Sequence, residues 1–170
     1  MLVQATNLLG HSVASLEEKK RLGEVNNILI DRNNAKIIGL IVLIGNKFFG
    51  HRLFIGEMDI LEIDKQGVAI RSSEDLIDPN EVIKAKKILD ERFNIINLPA
   101  IAKTKEKLGK ISDYIIDTQS MQITKFYVQN IFNDRIFSIN DIYKITKKAV
   151  IFNHIETKGL SKSMEKQAIT

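Results

Sequence analysis

The sequence predicts a mainly β protein: two small β-barrels produced by internal duplication and joined by one amphipathic helix. Three observations carry that expectation. Residues 21–43 (RLGEVNNILIDRNNAKIIGLIVL) return as residues 107–129 (KLGKISDYIIDTQSMQITKFYVQ), so that Leu22 falls on Leu108, Gly23 on Gly109, Ile30 on Ile116, Asp31 on Asp117 and Val42 on Val128. A match this long in one register is an internal repeat. Short apolar runs separated by polar turns follow one another with little helical periodicity, which is the pattern of small antiparallel barrels. Between the copies one stretch, 78–93, changes to helical spacing.

Taken in order, residues 8–15 read as a first strand and LEEKKR (16–21) as a turn. Residues 23–31 are apolar on both faces near their end and form a second strand. The turn DRNNAK (31–36) is rich in Asp and Asn, which tolerate left-handed geometry and bond their own backbone. The β-branched run 36–44 is a third strand, and further strands fit 48–55, 58–63 and 68–71, with DKQG (64–67) as a hairpin turn. The second copy follows from about 97 to 155. Its RIF (135–137) echoes RLF (52–54), and IYKITKKAVIF (142–152) echoes ILEIDKQGVAI (60–70).

In the linking helix Asp78 is placed to cap, Pro79 stands at the first helical position and Glu81 three after the cap. Val82, Ala85, Ile88, Leu89 and Phe93 make its apolar stripe. The expected organisation is a first barrel at 1–77, a linker helix at 78–93, a second barrel at 94–156 and a disordered tail at 157–170.

The third strand differs between the copies. Thr124, Phe126 and Val128 alternate with Lys125, Tyr127 and Gln129, so one face is buried and one is wet. In the first copy Ile38, Leu40 and Val42 face one way and Ile37, Ile41 and Leu43 the other, so both faces need cover. The linker helix, the other barrel or a second subunit is expected to supply it.

Net charge is +4, unevenly spread: residues 1–85 hold 10 Lys/Arg against 12 Asp/Glu, and residues 86–170 hold 15 against 9. There is no cysteine, which excludes disulfides and thiolate metal sites and suits a reducing compartment. The N-terminus lacks the pattern of a signal peptide. The longest apolar run, 37–45, falls well short of the roughly 20 residues a membrane span needs. A soluble, cytoplasmic protein without membrane insertion is expected.

The chemistry-bearing residues are few. Gly23 and Gly109 imply a turn exit or a close backbone approach, and no phosphate-binding Gly-rich loop exists. Asp31 and Asp117 each open an Asx-type turn, so their carboxylates are expected on backbone amides. His11, His51 and His154 share no metal-ligand spacing, and no nucleophile signature appears. No catalytic, cofactor or metal residue is expected. Candidate contacts to a partner or to phosphate are Lys103, Lys105, Lys107, Lys110, Lys147 and Lys148, which would form one basic patch if their turns met at one barrel end. Phe48 and Phe49 are candidates for an apolar docking tip, set against the commoner case of loop phenylalanines that fold back to plug a barrel end.

Each copy carries L-G-[EK]-[VI]-x-[ND]-x-[LI]-I-D, a polar turn and an apolar strand. In this it resembles the PRC-barrel family, named for the photosynthetic reaction centre and present here in tandem, over about 8–76 and 94–155. The resemblance implies a strongly bent sheet closed into a barrel in each copy. Members include the cytoplasmic domain of the reaction-centre H subunit and the C-terminal domain of a ribosome-maturation factor. Those of understood role bind other proteins and do not catalyse. The spanning helix of the first and the additional RNA-binding barrel of the second have no counterpart in the sequence. The expected function is therefore a non-catalytic protein-binding or adaptor module, with a ribosome- or RNA-associated factor as the alternative and homo-oligomerisation possible.

Overall fold

The computed structural model describes residues 1–153, so the tail expected at 157–170 lies outside the described residues. In chain order the elements are β1 (Leu2–Gln4), the helical turn α1 (Ala5–Leu8), β2 (Ser12–Ser15), β3 (Lys20–Asp31), β4 (Lys36–Ile44), β5 (His51–Gly56), β6 (Ile60–Ile63), β7 (Val68–Ile70), α2 (Ile83–Asp90), β8 (Pro99–Ala102), β9 (Lys107–Asp117), β10 (Gln122–Gln129), β11 (Arg135–Ser138), β12 (Ile142–Ile145) and β13 (Val150–Phe152). One sheet runs through the described residues in the order β12-β13-β8-β9-β10-β4-β3-β2-β7-β6, with β1 on β9, β11 on β10 and β5 on β4. The chain is mainly β, and β2 to β7 are matched element for element by β8 to β13. Each set curls into a half-barrel.

The two sets meet at a local dyad. Lys36 pairs with Gln122. Ile37 N–H donates to the Met121 carbonyl at 2.7 Å, and Ile123 N–H donates to the Ala35 carbonyl at 3.1 Å. Ala35 and Met121 both have positive φ, at 56° and 51°, so both turns take the left-handed step that brings their strands edge to edge. Both side chains are buried, in a cluster that runs through both halves.

Three sequence expectations are corrected here. The barrels are not purely antiparallel, because β2 pairs with β7 and β8 with β13 in parallel. A 3-10 turn, Glu57–Asp59 or Ile139–Asp141, follows β5 or β11. It carries the chain across to β6 or β12, whose antiparallel partner β7 or β13 lies beside β2 or β8.

The linker is not one helix over 78–93. Asp78 accepts from Asn80 N–H at 2.8 Å and caps only the 3-10 turn Pro79–Glu81. Val82 is extended, and α2 starts at Ile83. The helix closes on a Schellman motif: Arg92 takes φ 49°, Arg92 N–H donates to Leu89 O at 3.0 Å and Phe93 N–H to Ile88 O at 3.2 Å.

The faces of β4 are also not those of strict alternation. A bulge shifts the register between Leu29 and Ile30, where Gly39 and then Ile37 are the partners. Ile37, Leu40 and Val42 therefore face the main core, while Ile38 and Ile41 face the other way. The same shift occurs in β10 between Ile123 and Lys125.

The second face of β4 is covered by the linker. Ala85, with Val82, Ile88 and Leu89, packs on Leu29, Ile41 and Phe54. The first strand β1 was not expected at all. It pairs with the far half, Leu2 with Asp117 and Gln4 with Ile115. The segment leading into each half thus covers the other half.

Candidate functional site

Two loops present apolar side chains to solvent. In the β4–β5 loop, Asn46 Oδ1 accepts from Phe48 N–H at 3.0 Å and from Phe49 N–H at 2.9 Å, and Gly50 N–H donates to Asn46 O at 2.7 Å. A side chain at Gly50 would strike Asn46 O at 2.4 Å. The loop is locally bonded, yet Phe48 and Phe49 are 89% and 86% exposed. They do not plug the barrel.

The matching β10–β11 loop exposes Ile131 and Phe132, at 94% and 85%. There Asn130 Nδ2 donates to Leu108 O at 3.1 Å. Sequence reasoning missed this second tip, although the repeat places 130–134 in the position of 45–50. Since β4 and β10 leave the dyad antiparallel to each other, the two tips lie at opposite ends of the molecule.

The basic residues of the second half do not form one patch. Lys103 N–H donates to Phe152 O at 2.8 Å, which places the 103–106 turn at the end of β13. Lys147 and Lys148 lie in the turn before β13 begins, at the opposite end of that strand. Lys103 Nζ sits over the Tyr143 ring, 4.2 Å from its centre. Lys105 adopts φ 72° in its turn.

Lys147 is occupied structurally. Its Nζ lies 2.8 Å from Glu91 Oε1, while Arg32 reaches Glu91 Oε2 at 3.0 Å and lies over the Phe93 ring. The Lys147 hydrogen bond first, and the Arg32 charge after it, hold the Glu91 carboxyl below its ordinary range. One carboxylate at the end of α2 thereby ties a turn of each half.

Lys107 and Lys110 do come together. With Asn97, Pro99, Ile101, Gln129 and Ile131 they line a cavity of about 920 Å³ beside the second tip. Gly109, between the two lysines, has φ 139°, and a side chain there would meet Gln129 O at 2.2 Å. At Gly23 the corresponding contact is Leu43 O at 2.3 Å. The paired glycines mark a close strand approach.

The carboxylates of the repeat close on their own turns. Asp31 Oδ1 accepts from Asn33 N–H at 2.9 Å, and Asp117 Oδ1 from Gln119 N–H at 3.1 Å. Asp113 is buried, and its oxygens accept from Tyr114 N–H at 2.8 Å, Thr6 N–H at 3.2 Å and the Thr6 hydroxyl. It anchors α1 to the second half. Burial first, and then the Asp113 charge, push the Tyr114 hydroxyl far above its ordinary range. Among the described residues, no three His, Asp or Glu side chains converge on a metal-sized space, and no helix is long and apolar enough to cross a membrane.

The bent sheet with its loop tips defines a small β module. Residues 2–77 match the sequence model of the PRC-barrel domain, which supports the PRC-barrel reading for that part of the chain. The matched span runs from β1 through β7. Residues 78–170 lie outside it, and their described part repeats its element order. No curated protein matches the chain. PRC-barrel domains are binding modules that mediate protein interactions.

Proposed function

We propose that this chain is a non-catalytic, cytoplasmic adaptor that engages another protein through its half-barrel surfaces. The observation that carries the reading is the pair of apolar tips, Phe48–Phe49 and Ile131–Phe132, held out by bonded loops at equivalent positions. Large apolar side chains kept in water by local structure cost solvation unless a partner covers them. The basic second half favours a second reading, contact with ribosomal RNA. Lys105, Lys107, Lys110 and Lys148 are exposed and, among the described residues, have no carboxylate in ion-pair range.

Affinity capture of the tagged protein from its own cytoplasm, with and without nuclease and at low and high salt, separates the two. A defined protein partner that survives both treatments, and is lost when Phe48, Phe49, Ile131 and Phe132 are all changed to Ser, is the expected result. Ribosomal components that vanish with nuclease or salt would favour the RNA reading instead, since phosphate contacts weaken steeply as salt rises. Recovery of only the bait's own copies would point to homo-oligomerisation.

A further inference from the structure

The cavity beside the second tip has a counterpart position in the first half, and the two are charged differently. Lys107 and Lys110 occupy the places of Arg21 and Glu24. In the first half Arg21 and Glu24 pair with each other at 3.5 Å, and Arg21 Nε also donates to Ser12 Oγ at 3.1 Å. That charge closes on itself. In the second half, two cations flank the pinch at Gly109 and, among the described residues, neither has an ion-pair partner. Around them stand Pro99, Ile101 and Ile131, the last almost wholly exposed at the rim.

We propose that this groove docks an acidic segment of a partner protein, one that carries apolar side chains between its carboxylates. The proposal deepens the protein-binding reading above and rests on it. The two lysines would orient and steer the segment, and the aliphatic wall would supply the area removed from water. At about 920 Å³ the space takes several side chains, far more than one small anion needs. Its lining fits nucleic acid less well. It offers two cations rather than a continuous basic track, and none of its residues is an aromatic on which a base could stack.

The test uses the full chain, isotope-labelled for amide spectra, with a fluorescent peptide of alternating glutamate and valine. Expected are shifts at Ile101, Lys107, Lys110, Gln129 and Ile131 with none at Ser12, Arg21 or Glu24. Replacing the glutamates of the peptide by glutamine, or changing the protein to K107E/K110E, should weaken binding roughly tenfold or more. Both lysines are exposed, so the double variant should keep the wild-type amide spectrum away from the groove. Glu24→Lys supplies a gain-of-function arm, because it frees Arg21 and should create weaker binding at the first-half position.

Shifts that map elsewhere, or equal binding of the glutamine peptide, would overturn the proposal. So would tighter binding of a single-stranded oligothymidylate at the same residues, which would assign the groove to nucleic acid. A dimer dissolved by K107E/K110E would assign it to a second copy, with the same consequence. If K107E/K110E still captures the same partners as wild type, the groove assignment fails while the adaptor reading stands. If wild type captures no protein at all, the adaptor reading fails first.

Discussion

The two halves share one strand plan and solve its packing differently. In the first, the inner face centres on aliphatic residues, with Leu40, Ile55 and Ile70 fully buried. The same places in the second hold Phe126, Phe137 and Phe152, whose rings pack at 6.1 Å and 4.4 Å between centres. The outer faces reverse this. Phe54 is buried beneath α2, while Ile136 at the matching place is 38% exposed and, among the described residues, has no helix above it. Each half puts the phenylalanines of its strands where it has cover, inside one barrel and outside the other, while those of the loop tips stay in solvent. A repeat therefore conserves the backbone path and leaves each face free to follow its neighbours.

The largest effect that sharpens this contrast is Phe54→Ala, which should cost about 3–5 kcal/mol by removing the ring that α2 packs on. Ile136→Ala should cost well under that, about 1 kcal/mol or less, since its site is already wet. Chemical denaturation of both variants decides the point, and equal losses would break the comparison.

Gly109→Ala and Gly23→Ala test what the halves share. Each new methyl meets a backbone carbonyl that cannot move without opening the sheet. Losses of about 1–3 kcal/mol are expected in both, the greater at Gly109, where φ is also positive. Deleting residues 1–4 should be felt in the other half. Amide exchange should quicken at Ile115–Asp117 and leave β3 protected, the reverse of domain-local behaviour.

The smallest effect concerns Glu91. Its carboxyl is held below the ordinary range, so its contribution is fully present above the usual glutamate pKa and is lost as pH falls through the lowered one. Acid titration of wild type against Glu91→Gln should therefore show stabilities that converge below the ordinary glutamate range. A constant difference across that window would remove Glu91 as the tie.

Most strands, the repeat and the turn roles of Asp31 and Asp117 were legible, because hydrophobic period and turn chemistry are local. What was not legible depended on register. The echo of RLF in RIF invites a match of Phe54 with Phe137, yet the ladders pair Phe54 with Ile41 and Ile136 with Tyr127. The shorter second loop slips the letters by one residue, and one residue in a strand exchanges the faces. The bulge that turns Ile37 inward and Ile38 outward was hidden for the same reason. The linker also misled, since Asp78, Pro79 and Glu81 read as a helix start but cap only a 3-10 turn, and extended Val82 separates it from α2.

The basic patch failed for a different reason. It required two turns to share a barrel end, and β13 separates them. Phe48 and Phe49 were legible as candidates, while Ile131 and Phe132 became visible only once the loops were aligned in space.

The crossed covers have a consequence for synthesis. Leu2–Gln4 must wait for Ile115–Asp117, and β3 waits for Ala85 before its outer side is closed. Chains that leave the ribosome usually fold one domain at a time from the N-terminus. Here Leu2–Gln4 are made more than a hundred residues before the strand they pair with. A nascent chain halted between the halves would hold a sheet with its joining edge open, and release of the second half would complete both together.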